Sequence, residues 1–395
     1  MKRRELIKSA ILMSSIAMLC GSGCSNENFS NSKSTKSNFA NLKEQKNVYE
    51  VCTPLPFNYK TIDEMAEMNN IYKKSKIVSL YNNFPFPFAE KYNDFFGSVR
   101  GTNTKINSFD DFAKYVAYAK KYGFKFIYVL NSPKPFSNID FNNYSKVFYE
   151  LLDFLHDINV DNIKVANTQV ASLINGYKYK FNLSASTGFE FHILEQYVNL
   201  VESYPNIDTI DISIDDNRNF KFIKNLKKAL PDKKLEILVN EPCPPGCPAR
   251  ISHISTPFCV YDCSKMKEDP ILGLCKTVRI YPWNWIYYQN FGINSFKFVS
   301  TPLRAEFSNL FFLKNYLDCV EHGFKDIDLQ FLADKIFFLG INKGKNIKIK
   351  DIISKLPNIE YFIENGHNCS NSCRAECTYC YECANKIKQI MKETV

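Results

Sequence analysis

Cysteine is the residue type with the most evident chemistry in this chain. It occurs 14 times in 395 residues, and nine of these cysteines form two groups. Thiolates that lie two or three residues apart can converge on one soft metal centre, as in zinc and iron–sulfur sites. The spacing therefore predicts metal ligation by a first group, Cys243, Cys247, Cys259 and Cys263, and by a second group, Cys369, Cys373, Cys377, Cys380 and Cys383.

Two alternatives to this reading stay open at the level of sequence. Disulfides are permitted if the protein is exported, although cysteines this close together in a tight loop seldom reach disulfide geometry. Four thiolates suit zinc and iron equally well. His253 lies between the two halves of the first group, where it is a candidate ligand or catalytic base, or a hydrogen-bonded loop histidine.

The second group contains a motif that points to a different class of enzyme. Cys373, Cys377 and Cys380 have the three-cysteine spacing of radical S-adenosylmethionine enzymes. In those enzymes the motif follows an early strand and the barrel comes after it. Here fifteen residues follow Cys380, so the context argues against this class.

Charge gives no support to a nucleic-acid partner. The formal net charge is +9, but residues 1–47 hold eight Lys/Arg and three Glu and so contribute +5. The other 348 residues carry 42 basic and 38 acidic groups, too even a balance for a basic face that binds phosphates. Hydrophobic residues make up 45% of the chain, typical of a globular protein, and no apolar run reaches the ~20 residues that cross a bilayer.

The N-terminal segment has the pattern of an export signal. A basic start with Arg3 and Arg4 precedes a short apolar stretch and small residues, and it resembles the twin-arginine type. Because that route exports folded proteins, it favours iron–sulfur over zinc. Cys24 resembles a lipoprotein cleavage site. We expect a signal peptide over 1–24 and a disordered linker over 25–47. The protein would then be periplasmic or lipid-anchored, and the lipid anchor would be its sole membrane contact. A cytoplasmic enzyme with a basic tail is the alternative.

The elements that must position these residues follow a regular alternation. Short β-branched and aromatic runs, typical of buried parallel strands, alternate with amphipathic helical stretches. This pattern predicts an α/β fold, a (β/α)8 TIM-type barrel over 48–325 with a cysteine loop at 241–275 and a Cys-rich C-terminal segment over 326–395. An open doubly wound sheet is the alternative, but no glycine-rich loop follows the first strand. The predicted strands are 48–55, 76–81, 124–131, 162–167, 179–185, 207–213, 234–240 and 295–300.

Helices are predicted between these strands. One begins after Ser108, a candidate N-cap, and ends at Gly123, a candidate left-handed cap. The others cover 141–157, 189–203 and 218–230.

Polar residues follow several of the predicted strands. In a barrel of this class the active site lies at the C-terminal ends of the strands, so these side chains would meet at one face. Helix caps and turns use the same residue types, which is the alternative for each of them. The candidates are Asn131, Asn167, Asp211, Asn240 and Glu241.

The seventh predicted strand and the cysteine loop carry a family resemblance. The segment Leu235–Arg250, with Cys243 and Cys247, resembles peptidase family U32, the collagenase-like proteins. The likeness extends through Cys263, the Tyr281-Pro282-Trp283 segment and the Cys-rich tail. The family's first two cysteines lie further apart, and Glu236 is offset by one residue from its glutamate, so the chain resembles a divergent branch.

The resemblance implies two chemistries. Some members of the family are called proteases, whereas others resemble oxygen-independent hydroxylases with a [4Fe–4S] cluster at the barrel mouth and an organic oxygen donor. In the second reading Cys243, Cys247, Cys259 and Cys263 hold the cluster, and a second iron–sulfur cluster or zinc occupies the tail.

The remaining candidates take roles in the same reading. Asn131, Asn167, Asp211, Asn240 and Glu241 orient a small-molecule or peptide substrate, and Glu241 or His253 moves protons. Arg250 and Arg279 meet an anionic donor. The motifs Gly-x-Ser-x-Gly and His-Glu-x-x-His do not occur, so the sequence favours the redox reading over the peptidase reading. A non-catalytic metal-binding or electron-relay protein is the third reading.

Overall fold

The computed structural model describes eleven parts of the chain, and they contain a closed barrel. The described residues are 48–83, 106, 108–132, 138–241, 246–247, 268–276, 278–299, 310–324, 326–337, 347–356 and 378–394. The signal, the linker and the lipid-anchor site predicted within residues 1–47 lie outside them.

Eight parallel strands form the barrel in chain order, and the eighth pairs with the first. The predicted (β/α)8 fold is confirmed. The strands are β1 (Tyr49–Pro54), β2 (Ser75–Asn82), β3 (Lys125–Leu130), β4 (Asn162–Val165), β5 (Leu183–Ala185), β6 (Ile207–Asp211), β7 (Lys234–Leu238) and β8 (Ser295–Lys297).

Helices connect the strands and continue after the barrel. They are α1 (Tyr59–Ile71), α2 (Phe109–Lys121), α3 (Asn138–Asp157), α4 (Thr168–Asn175), α5 (Leu194–Ser203), α6 (Phe220–Ala229), α7 (Pro270–Cys275), α8 (Trp285–Gln289), α9 (Phe311–His322), α10 (Leu329–Phe331), α11 (Ile349–Ile353) and α12 (Tyr379–Thr394). A π-helical turn covers Leu332–Phe337, and short 3-10 turns cover Thr187–Phe189, Ile214–Asp216 and Pro282–Asn284. None of the helices in the described ranges is both long and apolar enough to cross a membrane.

Helix α2 shows how local sequence sets the helix ends. The Ser108 side chain accepts a hydrogen bond from the Asp111 amide at 3.1 Å, as expected of an N-cap. At the other end Gly123 has a φ of +81°, the left-handed conformation that glycine adopts without strain. Phe112, Val116 and Ala119 are the buried face, so both ends and the packing face agree with the prediction.

Two predicted element starts differ from the structure by four residues or more. The fifth strand begins at Leu183 rather than 179, because Tyr179 instead stacks on His156 of α3 with ring centroids 3.6 Å apart. The helix predicted from 189 begins at Leu194, because the Gln196 side chain accepts the amide of Ile193 and fixes the first turn there. The residues before Leu194 form a loop in which Glu190 has a φ of +51°.

Candidate active site at the C-terminal face of the barrel

The barrel interior holds a network of four charged side chains from four strands. Lys164 of β4 donates to Asp211 of β6 and, at 2.8 Å, to Glu236 of β7. Lys297, the last residue of β8, donates to the other carboxylate oxygen of Asp211 at 2.8 Å. All four side chains are at most 6% exposed. We call Lys164, Asp211, Glu236 and Lys297 the ionic cluster.

Two positive and two negative charges make the ionic cluster neutral. Removing four charges from water is costly, and such networks are weak evidence for stability, whereas perturbed buried groups concentrate at functional sites. Burial raises the pKa of Asp211. Burial acts in the same sense on Glu236, but Lys164 and Lys297 outweigh it and hold the pKa of Glu236 below its usual range.

Neutral side chains complete the polar environment. Ser295 donates to Glu236 at 2.9 Å, and the Tyr81 hydroxyl donates to the backbone of Phe298 at 2.7 Å. Burial raises the pKa of the Cys52 thiol to about 12, so Cys52 is protonated beside the cluster at neutral pH. The interior thus contains amine, carboxyl, hydroxyl and thiol groups, unlike an ordinary apolar barrel core.

A narrow pocket, too tight to admit a water molecule, opens beside the ionic cluster. Asp211 and Ser213 supply polar groups to it, and aromatic side chains form much of the remaining wall. This is the composition expected of a small-molecule site. The lining residues are Ala185, Ser186, Thr187, Phe189, Phe191, Tyr197, Asp211 and Ser213.

His192 follows the pocket wall and faces an acidic group. Its Nδ1 lies 3.4 Å from the Ser213 hydroxyl and 3.6 Å from a carboxylate oxygen of Asp216. Asp216 is the main cause of the raised pKa of His192. Ser213 and Asp216 approach the same ring nitrogen, whereas a serine nucleophile relay needs them on opposite nitrogens. The Glu190 carboxylate lies 3.8 Å from Nε2, on the other side of the ring.

The cysteine loop is attached to this face of the barrel. The Gly246 amide donates to Asp215 at 2.7 Å, directly after β6, and Gly246 has a φ of +63°. The neighbouring Cys247 is 8% exposed and has a free thiol. The Cys247 thiol thus lies beside the loop that carries Asp215.

The asparagines predicted at this face make structural hydrogen bonds. Asn167 caps α4 by accepting from the Val170 amide at 2.9 Å, which agrees with the capping alternative. Asn240 exchanges two hydrogen bonds with the backbone of Val299 and joins the ends of β7 and β8. The Oδ1 of Asn131 is buried and has no hydrogen-bond partner among the described residues.

The charged candidates at this face are buried. Glu241 and Arg279 are 5% and 8% exposed. Asn217 donates to the carbonyls of Leu238 and Val278, which holds the segment containing Arg279 against the end of β7. The structure therefore brings Asp211, Asn240, Glu241 and Arg279 to one face, together with Cys247.

Several predicted site residues cannot be placed. Within the described ranges, no three His, Cys, Asp or Glu side chains are arranged to hold a metal ion. Most of the predicted ligands do not belong to those ranges. The predicted residues outside the described ones are Cys243, Arg250, His253, Cys259, Cys263, Cys369, Cys373 and Cys377.

The C-terminal helix lies against the cysteine loop. Helix α12 carries Cys380 and Cys383 and packs on α7, where the Cys380 thiol lies 3.5 Å from the backbone oxygen of Cys275. Arg218, shortly after the 3-10 turn that follows β6, donates to the same oxygen at 3.0 Å. Cysteines of the tail and of the barrel loop thus lie on the same side of the molecule.

Sequence reasoning missed Lys164, Lys297 and His192. Each of the two lysines interrupts an apolar run that was itself predicted to be a buried strand. A charged residue in such a strand needs a buried partner, and that requirement was the available signal. His192 lies in a segment that the sequence predicts to be helical, but Gln196 fixes the start of that helix after it and leaves His192 in a loop.

Comparison with known proteins adds a sequence relationship. No family model matches the chain. Among solved structures, a U32 peptidase matches with a TM-score of 0.43 and 11% identity over 65% of this chain and 94% of that one. An endo-β-1,4-mannanase from Thermotoga petrophila matches with a TM-score of 0.36 and 12% identity over 73% of this chain and 80% of that one.

A curated relative gives the stronger similarity. An uncharacterized protease of Methanocaldococcus jannaschii is 30% identical over 203 residues, which are 49% of this chain and 55% of the relative. The resemblance to U32 peptidases is confirmed. The chain spans about half of the length of this relative. We refer below to the U32-like barrel.

Proposed function

We propose that the U32-like barrel is a redox enzyme that carries a cysteine-ligated iron–sulfur cluster at its C-terminal face and performs oxygen-independent hydroxylation or a related modification. The bond between the Gly246 amide and Asp215 carries this proposal, because it holds Cys247 at the face where barrel enzymes have their active sites. The narrow pocket beside Asp211, between the ends of β5 and β6, would have to widen to receive the substrate.

The chemistry of the donor set fits an iron–sulfur cluster. Cys247 is buried and not in a disulfide, as a thiolate ligand requires. Cys243, Cys259 and Cys263 would complete the set, and the tail cysteines would hold a second cluster or zinc. When bound, the cluster would supply single-electron transfer.

The chain's own side chains would bind and orient the substrate. Phe189, Phe191 and Tyr197 give the pocket an apolar wall, and Asp211 and Ser213 supply hydrogen-bonding groups. Glu241, buried at the same face, would exchange protons with the substrate, with His253 as the other candidate. Arg279 and Arg250 would bind an anionic donor.

A collagenase-like endopeptidase is the second candidate. The curated relative favours it, because that protein is named a protease. At the pocket, Ser213 approaches Nδ1 of His192 and Glu190 lies 3.8 Å from Nε2, so a serine and an acid face opposite nitrogens of this ring. A non-catalytic metal-binding or electron-relay protein is the third candidate, and it would use the same cysteines as structural ligands.

Cysteine variants purified without oxygen test the proposal. We expect Cys247→Ser and Cys243→Ser to lose the cluster of the barrel face, measured as iron and acid-labile sulfide per chain, while the tail site stays loaded. Cys319→Ser is the matched control, because Cys319 is also a buried cysteine, in α9. Equal iron in the unmodified protein and in all three variants would contradict the assignment.

Product analysis separates the three candidates. Hydroxylation adds one oxygen atom to a substrate, whereas proteolysis creates new termini, and mass spectrometry distinguishes them. A protein that contains zinc alone and changes neither kind of substrate would support the third candidate.

A further inference from the structure

Two oxygen atoms approach one nitrogen of His192 at distances that are long for hydrogen bonds. The Nδ1 atom lies 3.4 Å from the Ser213 hydroxyl and 3.6 Å from Oδ2 of Asp216. Direct hydrogen bonds between nitrogen and oxygen normally measure about 2.7–3.2 Å. The Asp216 Oδ2 atom is buried and makes no hydrogen bond within the part of the chain that the structure describes. A buried carboxylate oxygen in this state is costly unless a cation meets it.

We propose that Nδ1 of His192, Oδ2 of Asp216 and the Ser213 hydroxyl bind one divalent cation of the zinc type, with water as its remaining ligand. In a tetrahedral zinc site the ligand atoms lie about 2.0–2.2 Å from the metal and therefore about 3.3–3.6 Å from one another. Both measured separations fall in this range. The proposal goes beyond the redox proposal and does not depend on the cysteines.

The turn after β6 brings two of these ligands to the same side. The 3-10 turn covers Ile214–Asp216, and Ser213 is its N-cap. Side chains three residues apart eclipse each other in 3-10 geometry, so Ser213 and Asp216 face the same ring nitrogen. Asn219 donates to Oδ1 of Asp216 at 3.1 Å. This bond orients the carboxylate and leaves Oδ2 directed at His192.

Glu190 occupies the position of an outer partner of a metal-bound histidine. A histidine that binds a metal through one ring nitrogen usually has a carboxylate or carbonyl beside the other, which fixes the orientation of the ring. The Glu190 carboxylate lies 3.8 Å from Nε2 of His192, on the side away from Asp216. Glu190 also has a φ of +51°, and backbone outliers of this kind cluster at functional sites.

The charges around the ring favour a cation. Asp216, Glu190 and Asp215 each favour a positive charge at His192. The His192 side chain is 47% exposed, so an ion has a path from solvent. Because a proton and a metal compete for Nδ1, metal binding should weaken as the pH falls through the pKa of His192, which Asp216 raises.

The donor set indicates which cation is suitable. An imidazole with oxygen ligands suits zinc and its neighbours in the transition series, whereas calcium and magnesium prefer oxygen alone. Two of the ligands are a histidine and an aspartate, and the third is a neutral hydroxyl. We therefore expect weaker binding here than at a site made of four thiolates.

Zinc binding by the full chain tests this site. Each protein is purified without oxygen and brought to equilibrium with zinc by dialysis near neutral pH, and bound zinc is measured per chain. We expect His192→Gln to bind one zinc ion fewer than the unmodified protein. Glu190→Gln should weaken the same ion by about tenfold or more, as loss of an outer partner does. His156→Gln is the matched control, because the His156 ring stacks on Tyr179 instead.

A second measurement uses the unmodified protein and so does not depend on the folding of any variant. Diethyl pyrocarbonate acylates accessible imidazoles, and peptide mass spectrometry maps the modified histidines. Zinc should protect His192 but not His322, which is exposed in α9. Equal zinc in His192→Gln and the unmodified protein, or acylation of His192 at the same rate with and without zinc, would overturn the proposal. Neither readout measures iron, so this failure is distinguishable from failure of the redox proposal.

Discussion

The thiol of Cys380 on the C-terminal helix donates to the backbone oxygen of Cys275 on the barrel's cysteine loop at 3.5 Å. The two residues are 105 positions apart in sequence. At the other end of the same contact, Lys388 pairs with Asp269. Helices α7 and α12 therefore lie antiparallel, with a hydrogen bond at one end of the contact and an ion pair at the other.

Replacing Asp269 should destabilise the contact between α7 and α12 more than replacing its partner Lys388. Asp269 also caps α7 by accepting from the Leu272 amide at 3.1 Å, so Asp269→Ala loses a cap and costs about 1 kcal/mol. Lys388→Ala removes a partly exposed pair alone, and we expect a smaller effect. Hydrogen exchange of residues 268–276 and of residues 378–394 measures both variants. Equal protection in Asp269→Ala and Lys388→Ala would contradict the capping role.

Removing Lys164 should destabilise the barrel strongly. Lys164→Met leaves Asp211 and Glu236 with Lys297 as their remaining buried cation in the cluster, and losing one partner of a buried ion pair costs about 3–5 kcal/mol. Lys234→Met, at a partly exposed pair with Glu50, should cost within about 1 kcal/mol. Denaturant unfolding followed by circular dichroism measures both. A similar loss in the two variants would show that the ionic cluster is not needed for folding.

His192 should titrate above the value of about 6.5 of an ordinary histidine. Asp216 favours its protonated form, so this form contributes stability that is fully present below the unfolded pKa and is lost as pH rises through the folded pKa. NMR titration of the imidazole measures the shift. In Asp216→Asn the pKa should fall toward the ordinary value, and an unchanged pKa would exclude Asp216 as the cause.

Gly188 should tolerate no side chain. A Cβ there would lie 2.8 Å from the Cβ of Ala166, in the turn that forms the pocket wall. Overpacking of this kind costs about 1–3 kcal/mol, so Gly188→Ala should lower the thermal midpoint. Gly176→Ala is the control, because its nearest contact is 3.4 Å and its φ is ordinary. A thermal midpoint of Gly188→Ala equal to that of Gly176→Ala would show that the turn around Gly188 can move to accommodate the added methyl group.

The barrel could be predicted from sequence because buried parallel strands are continuous apolar runs. All eight strands were located, and the errors fell at the ends of elements. Tyr179 continues the β-like pattern before Leu183 but packs on a helix instead. Nothing local distinguishes a tyrosine that pairs in a strand from one that stacks on a histidine, so this boundary depended on tertiary contacts.

The site was less predictable because its key contacts join distant strands. Asp211 was identified as a polar residue at a strand end, but its partners Lys164 and Lys297 are 47 and 86 residues away. A single sequence does not show which strand-interior lysine meets which carboxylate. Asn167 and Asn240 are the opposite case. They are predicted to be site residues, but Asn167 caps a helix and Asn240 joins the ends of two strands.

Metal and sulfide analysis of the full chain, purified without oxygen, tests the central proposal most directly. The account predicts iron with acid-labile sulfide and broad absorption near ~400 nm from thiolate-ligated clusters. Zinc alone in a colourless protein would contradict it.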